Sequence, residues 1–183
     1  MSVEMPSSKK NQSESSFIVH PIPPLFDRDS RILILGSFPS PASREAGFFY
    51  GHPQNRYWKV LAALFEEEVP AAVPERRSFL LRHHIAAWDV IHSCEITGAS
   101  DSSVRNVTPN DLSVILDSAD IQKIYVNGRL SEQMFRRYTE PVIHRSCIYL
   151  PSTSPANAAW SLERLTRAWR VILSDLSDQA VVS

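Results

Sequence analysis

The chain has 183 residues, 43% of them hydrophobic, and a formal net charge of −1. That length suits one domain with a sizeable core, and the near-neutral charge excludes a global positive field of the kind that coats nucleic acid indiscriminately. Of the 19 basic residues 15 are arginine, the better residue for bidentate phosphate contact, so a local basic face stays open.

The two cysteines, Cys94 and Cys147, cannot by themselves complete a four-cysteine zinc or iron–sulfur site. They read as buried thiols in a reducing compartment. No apolar run reaches the roughly 20 residues of a membrane span. Residues 1–18 are polar, lack the apolar stretch of a secretory signal and are expected to form a disordered tail. The domain is expected over residues 19–176, with a frayed end over 177–183.

In chain order, a proline-set entry (Pro21 to Ser30) leads into "RILILG", a short apolar run that reads as a buried strand ending at Gly36. Tyr57, Trp58, Val60, Leu61, Leu64 and Phe65 recur at helical spacing between Asn55 and Glu67. Pro74 to His83 is a second short helix with Pro74 in its first turn. "IAAWDVI" is the second strand. "TPNDLSVILDS" reads as a helix with Thr108 as N-cap and Pro109 at the first helical position. "IQKIYVNG" is the third strand, "RLSEQMFRRY" a helix and "CIYLP" the fourth strand. "ANAAWSLERLTRAWRVIL" reads as one long amphipathic helix, with Ala158, Leu162, Leu165, Trp169 and Ile172 on one face.

Four β-then-α alternations predict a single α/β domain: a central four-stranded parallel sheet flanked by helices on both faces, with right-handed crossovers. In such sheets ligands bind outside the carboxyl ends of the strands. The four strand exits are "GSFPSPAS", "HSCEITGASDSSVRN", "NGR" and "PSTSPAN", all rich in Ser, Thr, Asn, Gly and Pro. Turn chemistry explains part of this. Two exits are longer than a βα loop needs, which favours a pocket for a small molecule or nucleotide.

Each exit carries candidate residues. At Gly36 the backbone can approach a ligand closely, and Ser37, Ser40 and neighbouring N–H groups can bond a base or phosphate. In "YGHPQNRYW", Tyr50 offers a ring for base stacking and His52 is either a pH-sensitive donor or a packed loop histidine. Asn55 is either a helix cap or a functional amide, and Arg56 can reach a phosphate. Asp89 is either paired structurally, with Arg105 on offer, or set at the pocket rim. Asn127 can read a base edge with both halves of its amide, or serve as a plain turn residue. The hydroxyls of Ser152, Thr153 and Ser154 precede a helix start, an arrangement suited to an anion and equally to helix capping. No HExxH or cysteine cluster is present, so neither a metal site nor a cofactor is expected. GxSxG, Walker A and GxGxxG patterns are absent too.

The ordered set "GSFPS", "FYGHPQNRYW", "WDVIHSCEITGASDSSVRN", "VNG" and "LPSTSPANA" resembles the uracil-DNA glycosylase superfamily, most closely its hypoxanthine (deoxyinosine) DNA glycosylase branch, over roughly Pro21 to Leu173. The mismatch-specific uracil/thymine branch is similar at greater distance. The resemblance implies a monofunctional, metal-free DNA glycosylase of base excision repair, acting as a monomer on DNA that contains deaminated bases, without a membrane role. Its place would be the cytoplasm (nucleoid) in a bacterium or the nucleus in a eukaryote. It further implies that Asn55 is catalytic, where the mismatch branch uses an Asn at the place of Ser37 or Phe38. Tyr50 matches the base-stacking aromatic and Asn127 a base contact; Gly36, Ser37, Phe38 and His52 complete the base pocket. Ser40, Arg56, Ser152, Ser154, Pro155 and Ala156 would meet DNA, with Ala156 where other branches carry a bulky Leu wedge. The alternatives are a uracil or G·T/G·U mismatch glycosylase and a non-catalytic nucleotide-binding α/β module.

Overall fold

The computed structural model describes residues 14–98 and 100–177. Seven strands among them, β1 (Ser16–Val19), β2 (Ile32–Gly36), β3 (Ile85–Asp89), β4 (Ile91–Ile96), β5 (Arg105–Pro109), β6 (Lys123–Asn127) and β7 (Ile148–Leu150), make two sheets. The expected parallel sheet has the order β3-β2-β6-β7, with every neighbouring pair parallel.

All five residues of β2 are buried, which is why this strand reads as a continuous apolar run. Its side chains alternate between two cores. Ile32 and Ile34 pack with Tyr57, Leu61, Leu165 and Trp169 on one face. Leu33 and Leu35 pack with Ile115, Ile124 and Phe135 on the other. The first face is covered by α2 (Tyr57–Phe65), α3 (Val73–Arg82), α7 (Leu162–Trp169) and α8 (Val171–Ser177). The second is covered by α4 (Ser113–Leu116) and by the helical segment of α5 (Arg129–Met134), a π-turn (Phe135–Thr139) and α6 (Glu140–Ile143). Helix α1 (Pro41–Ala46) follows β2 near the sheet's carboxyl edge.

Three expectations are corrected. The stretch after Asp89 is an antiparallel sheet, β1-β4-β5, rather than a polar exit loop. Ile91, Ser93 and Cys94 are buried there beside exposed His92, so a short half-buried strand passes for a loop because half its residues are polar. Thr108 and Pro109 end β5 rather than starting a helix; β5 lies at the sheet edge, where proline is tolerated, and the helix begins only at Ser113. The long C-terminal helix is two short ones. Ser161 caps α7 by accepting the Arg164 N–H at 3.1 Å, and Ala158 stays exposed, while Leu165, Trp169 and Ile172 are buried as expected.

The tail expected over residues 1–18 overlaps β1, since Ser16–Ile18 pair with Cys94–Ile96; residues 1–13 lie outside the described residues, as do 178–183 of the expected frayed end. The pairing continues past β1, where the His20 N–H donates to the His92 carbonyl at 2.7 Å.

Candidate active site

The carboxyl ends of the four parallel strands carry a row of polar groups set by strand order. Asp89 ends β3, Gly36 ends β2, Asn127 ends β6, and Thr153 follows β7 by three residues. A cavity of about 730 Å³ opens over this edge. Gly36, Ser37, Phe38, Ser40, Tyr50, His52, Asn55, Asn127, Ser152, Ser154, Pro155 and Ala156 all line it, as do Asp89 and Thr153.

Thr153, 0% exposed, ties the row together. Its N–H donates to Asn127 Oδ1 at 3.1 Å, which fixes that amide; Asn127 Nδ2 then donates to Thr153 Oγ1 at 3.0 Å. With that lone pair taken, the Thr153 hydroxyl donates to Asn55 Oδ1 at 2.9 Å. The Tyr57 N–H donates to the same Asn55 oxygen at 2.9 Å. Asn55 serves the helix start, where its oxygen satisfies one of the free N–H groups of α2, and its Nδ2 has no partner among the described residues. The Nδ2 group is a donor of fixed orientation in a lined cavity, able to hold a water by its lone pair.

Tyr50 has φ 52°, a conformation costing a side-chain residue roughly 1–2 kcal/mol. Its ring stacks on Tyr57 with centroids 3.8 Å apart, so one face is taken by the core and the residue lines the cavity. Burial first, then the Asp89 charge, push its phenol far above the ordinary value, partly offset by the Asn127 side chain. Burial likewise pushes Tyr57 well up. Both hydroxyls stay protonated, and their oxygens are buried without a well-formed hydrogen bond among the described residues.

Asp89 is both paired and at the cavity. Its partner is not Arg105, whose guanidinium bonds the Ser102 and Val104 carbonyls. It is His20, whose Nε2 donates to Asp89 Oδ2 at 2.7 Å while Nδ1 accepts the Ile22 N–H at 3.2 Å. Asn110 Nδ2 holds the Asp89 and Ile91 carbonyls at 2.9 and 3.2 Å, so the backbone carrying the carboxylate is fixed as well.

Other candidates are held differently. Ser40 caps α1 through the Ser43 N–H at 3.2 Å, and His52 Nδ1 accepts the Gln54 N–H at 3.1 Å. Ser152 Oγ accepts the Ser154 N–H and Ser154 Oγ the Ala156 N–H, both at 3.2 Å, so these hydroxyls shape their own loop. Pro155 and Ala156 are exposed at the rim. Arg56 does not line the cavity: its guanidinium bonds the carbonyls of Ser154 (2.9 Å), Asn157 (3.0 Å) and Trp160. It clamps the loop instead of presenting a free cation. Among the described residues, the cations that line the cavity are Arg44, over Phe38 at 5.8 Å and donating to the Pro39 carbonyl at 3.0 Å, and Arg129, over Tyr149 at 3.9 Å and paired with Glu132 at 2.8 Å. Sequence reasoning missed both, along with Thr153 as a hub; Arg129 directly follows a strand exit, and that position was the available signal.

The Uracil DNA glycosylase superfamily model matches residues 23–176 of this chain. A hypoxanthine DNA glycosylase of Methanosarcina acetivorans is 31% identical over 148 residues, spanning 78% of this chain and 90% of that protein. A hypoxanthine DNA glycosylase of Methanosarcina barkeri is 32% identical over 111 residues, spanning 60% and 70% respectively. The solution NMR structure of a candidate uracil DNA glycosylase from Methanosarcina acetivorans superposes with a TM-score of 0.74 at 26% identity, covering 87% of this chain and 99% of that one. The chain belongs to the uracil DNA glycosylase superfamily, whose α/β fold it carries.

Proposed function

We propose that this protein is a monofunctional DNA glycosylase that removes deaminated bases, chiefly hypoxanthine, from DNA. The observation that carries the reading is the Asn55–Thr153–Asn127 network, which holds two amides in fixed orientation on the sheet's carboxyl edge inside one cavity. The hypoxanthine DNA glycosylases among the relatives support hypoxanthine as the base.

A base within a duplex is out of reach, so the nucleotide flips out, at a cost of a few kcal/mol that is least for a damaged or mispaired base. The cavity volume, about 730 Å³, falls in the range of small-ligand sites. Tyr50 stacks on the flipped base and Asn127 meets its edge. Asn55 directs a water at C1′; the C1′–N9 bond breaks and its electrons leave with the base, the water oxygen bonds C1′ and gives up one proton to solvent, and the base takes one proton from solvent. The loop at 152–156 lies against the DNA, and Arg44 and Arg129 meet phosphates.

A covalent amine route has no support. Among the described residues no lysine lines the cavity, and Lys123 starts β6, roughly 13 Å of extended chain from Asn127. Among them, too, no helix is long and apolar enough to cross a membrane. The protein acts as a monomer in this reading.

The test is a deoxyinosine oligonucleotide treated with protein and then with alkali. Strand scission at the inosine is expected; binding without scission, even with excess protein, would establish a binding module instead. The candidate uracil DNA glycosylase among the solved structures favours uracil as a second substrate, which a uracil oligonucleotide run in parallel decides.

A further inference from the structure

Asn55 and Asn127 account for one end of the polar row. Asp89 stands at the other, with one carboxylate oxygen occupied and the other without a partner among the described residues. Oδ2 accepts the His20 Nε2–H, and the Ile22 N–H fixes the His20 tautomer. Oδ1 lies over Gly36, only 2.3 Å from where a Cβ would sit, and Tyr50 Oη lies 3.2 Å from the same point. The strand end is kept bare so that this oxygen and the Tyr50 ring can share the space. Asp89 is 5% exposed, yet it lines the cavity. A structural carboxylate has no need of a cavity face; a buried charge is normally satisfied on both oxygens.

An ionised carboxylate accepts hydrogen bonds and donates none. Deamination changes the base edge in one respect that such a group can read. Adenine and cytosine carry a ring-nitrogen lone pair beside an amino group; hypoxanthine and uracil carry a ring N–H beside a carbonyl. We propose that Asp89, oriented by His20, is a specificity-determining residue whose Oδ1 accepts the ring N–H that deamination creates. Undamaged adenine would set a lone pair against the carboxylate in a site with little water to separate them. Rejection of this kind, which leaves a buried polar group mispaired, is the strong form of discrimination. His20 is a positioning residue: it reaches the site because β1 pairs with β4. The inference rests on the glycosylase reading above.

The test is a cycle of single-turnover excision rates: wild type and Asp89→Asn, each on deoxyinosine and on deoxynebularine, whose purine has a lone pair at N1 and no oxygen at C6. In Asp89→Asn the side-chain oxygen can still accept from His20 while an N–H₂ faces the cavity. Excision of hypoxanthine should fall on the order of 10²-fold, the scale of one removed site contact, while excision of purine, whose N1 lone pair meets an N–H₂ in place of the carboxylate, should not fall. Equal slowing on both substrates would overturn the inference and assign Asp89 a structural or water-directing role. Should the variant fail to fold, wild type on 1-methyldeoxyinosine, where a methyl replaces the proton, carries the same comparison: slow excision supports the inference and excision equal to inosine overturns it. Wild type that releases no base from any of these would overturn the glycosylase reading and the inference with it.

Discussion

Thr153 donates its hydroxyl to Asn55 Oδ1 at 2.9 Å across 98 residues of sequence, and the same oxygen accepts the Tyr57 N–H. The side chain proposed to direct the water is thus held from two elements at once. Asn55→Ala should cost about 1 kcal/mol, the usual cost of a lost cap, and abolish excision. Asn55→Asp keeps the oxygen that Thr153 and Tyr57 use but exchanges the free N–H₂ for an acceptor. It should melt close to wild type and still lose excision. Thermal melts and single-turnover rates check both; wild-type excision by Asn55→Ala would rule the assignment out.

Thr153 itself acts through its neighbours. Thr153→Val leaves the half-buried Asn127 Nδ2 without its partner and Asn55 Oδ1 with only the Tyr57 N–H, at about 1 kcal/mol per lost bond. A misplaced amide also slows the reaction, by up to about 10²-fold for a displacement near 1 Å. Thr153→Ser, which keeps the hydroxyl, should restore the rate. Equal rates for the Val and Ser variants would remove Thr153 from the network's function.

The arginines divide into two experiments. Arg56 bonds three loop carbonyls, so Arg56→Ala should lower stability and loosen the 152–160 loop while leaving the salt dependence of DNA binding unchanged. Arg129→Ala removes a cation that lines the cavity. It should weaken binding across sequences and lower the slope of log affinity against log salt by about 1. Measuring both slopes decides which arginine meets phosphate; the reverse pattern would exchange the two roles.

Burial pushes the Cys147 thiol up to about 11, and raises Cys94 as well. The thiolate is the reactive species, and a raised pKa means less of it at any pH below that value. At pH 8 the Cys147 thiolate fraction is on the order of 10⁻³. Iodoacetamide at pH 8 should therefore label neither cysteine rapidly in the native protein and both on denaturation. Cys94 is buried but Cys147, expected to be buried, is half-buried; prompt native labelling, followed by mass spectrometry, would contradict the raised pKa of the two thiols.

The parallel sheet was legible because strands buried on both faces are written as apolar runs, as β2 is. Strands β4 and β5 were not, because Ser93, Glu95 and Thr108 give a half-exposed strand the composition of a loop. The strand-exit rule located Gly36, Asn127 and the loop at 152–156, since it needs only the ends of strands. What it cannot carry is a partner chosen by folding. Thr153 matters through Asn55, and Asp89 through His20, 69 residues away. Arg56 shows the converse: its place beside Asn55 put it near the site, but the loop carbonyls claim its guanidinium.

Gly36 gives the sharpest steric prediction. The requirement there is for space, since the residue has no positive φ. A Cβ would lie 2.3 Å from Asp89 Oδ1 and 3.2 Å from Tyr50 Oη, and β2 is held between β3 and β6, so the strand cannot easily withdraw. The carboxylate must swing away, and its hydrogen bond to His20 stretches or breaks. Gly36→Ala should destabilise by about 1–3 kcal/mol, the cost of overpacking a filled site. It should also lose the His20 Nε2 proton resonance that the short contact to Asp89 protects from exchange. Excision should fall in the same variant, because Tyr50 is crowded by the same methyl. A preserved resonance with unchanged melting would mean that the strand end yields, and that the bare position at Gly36 is not what holds Asp89 in place.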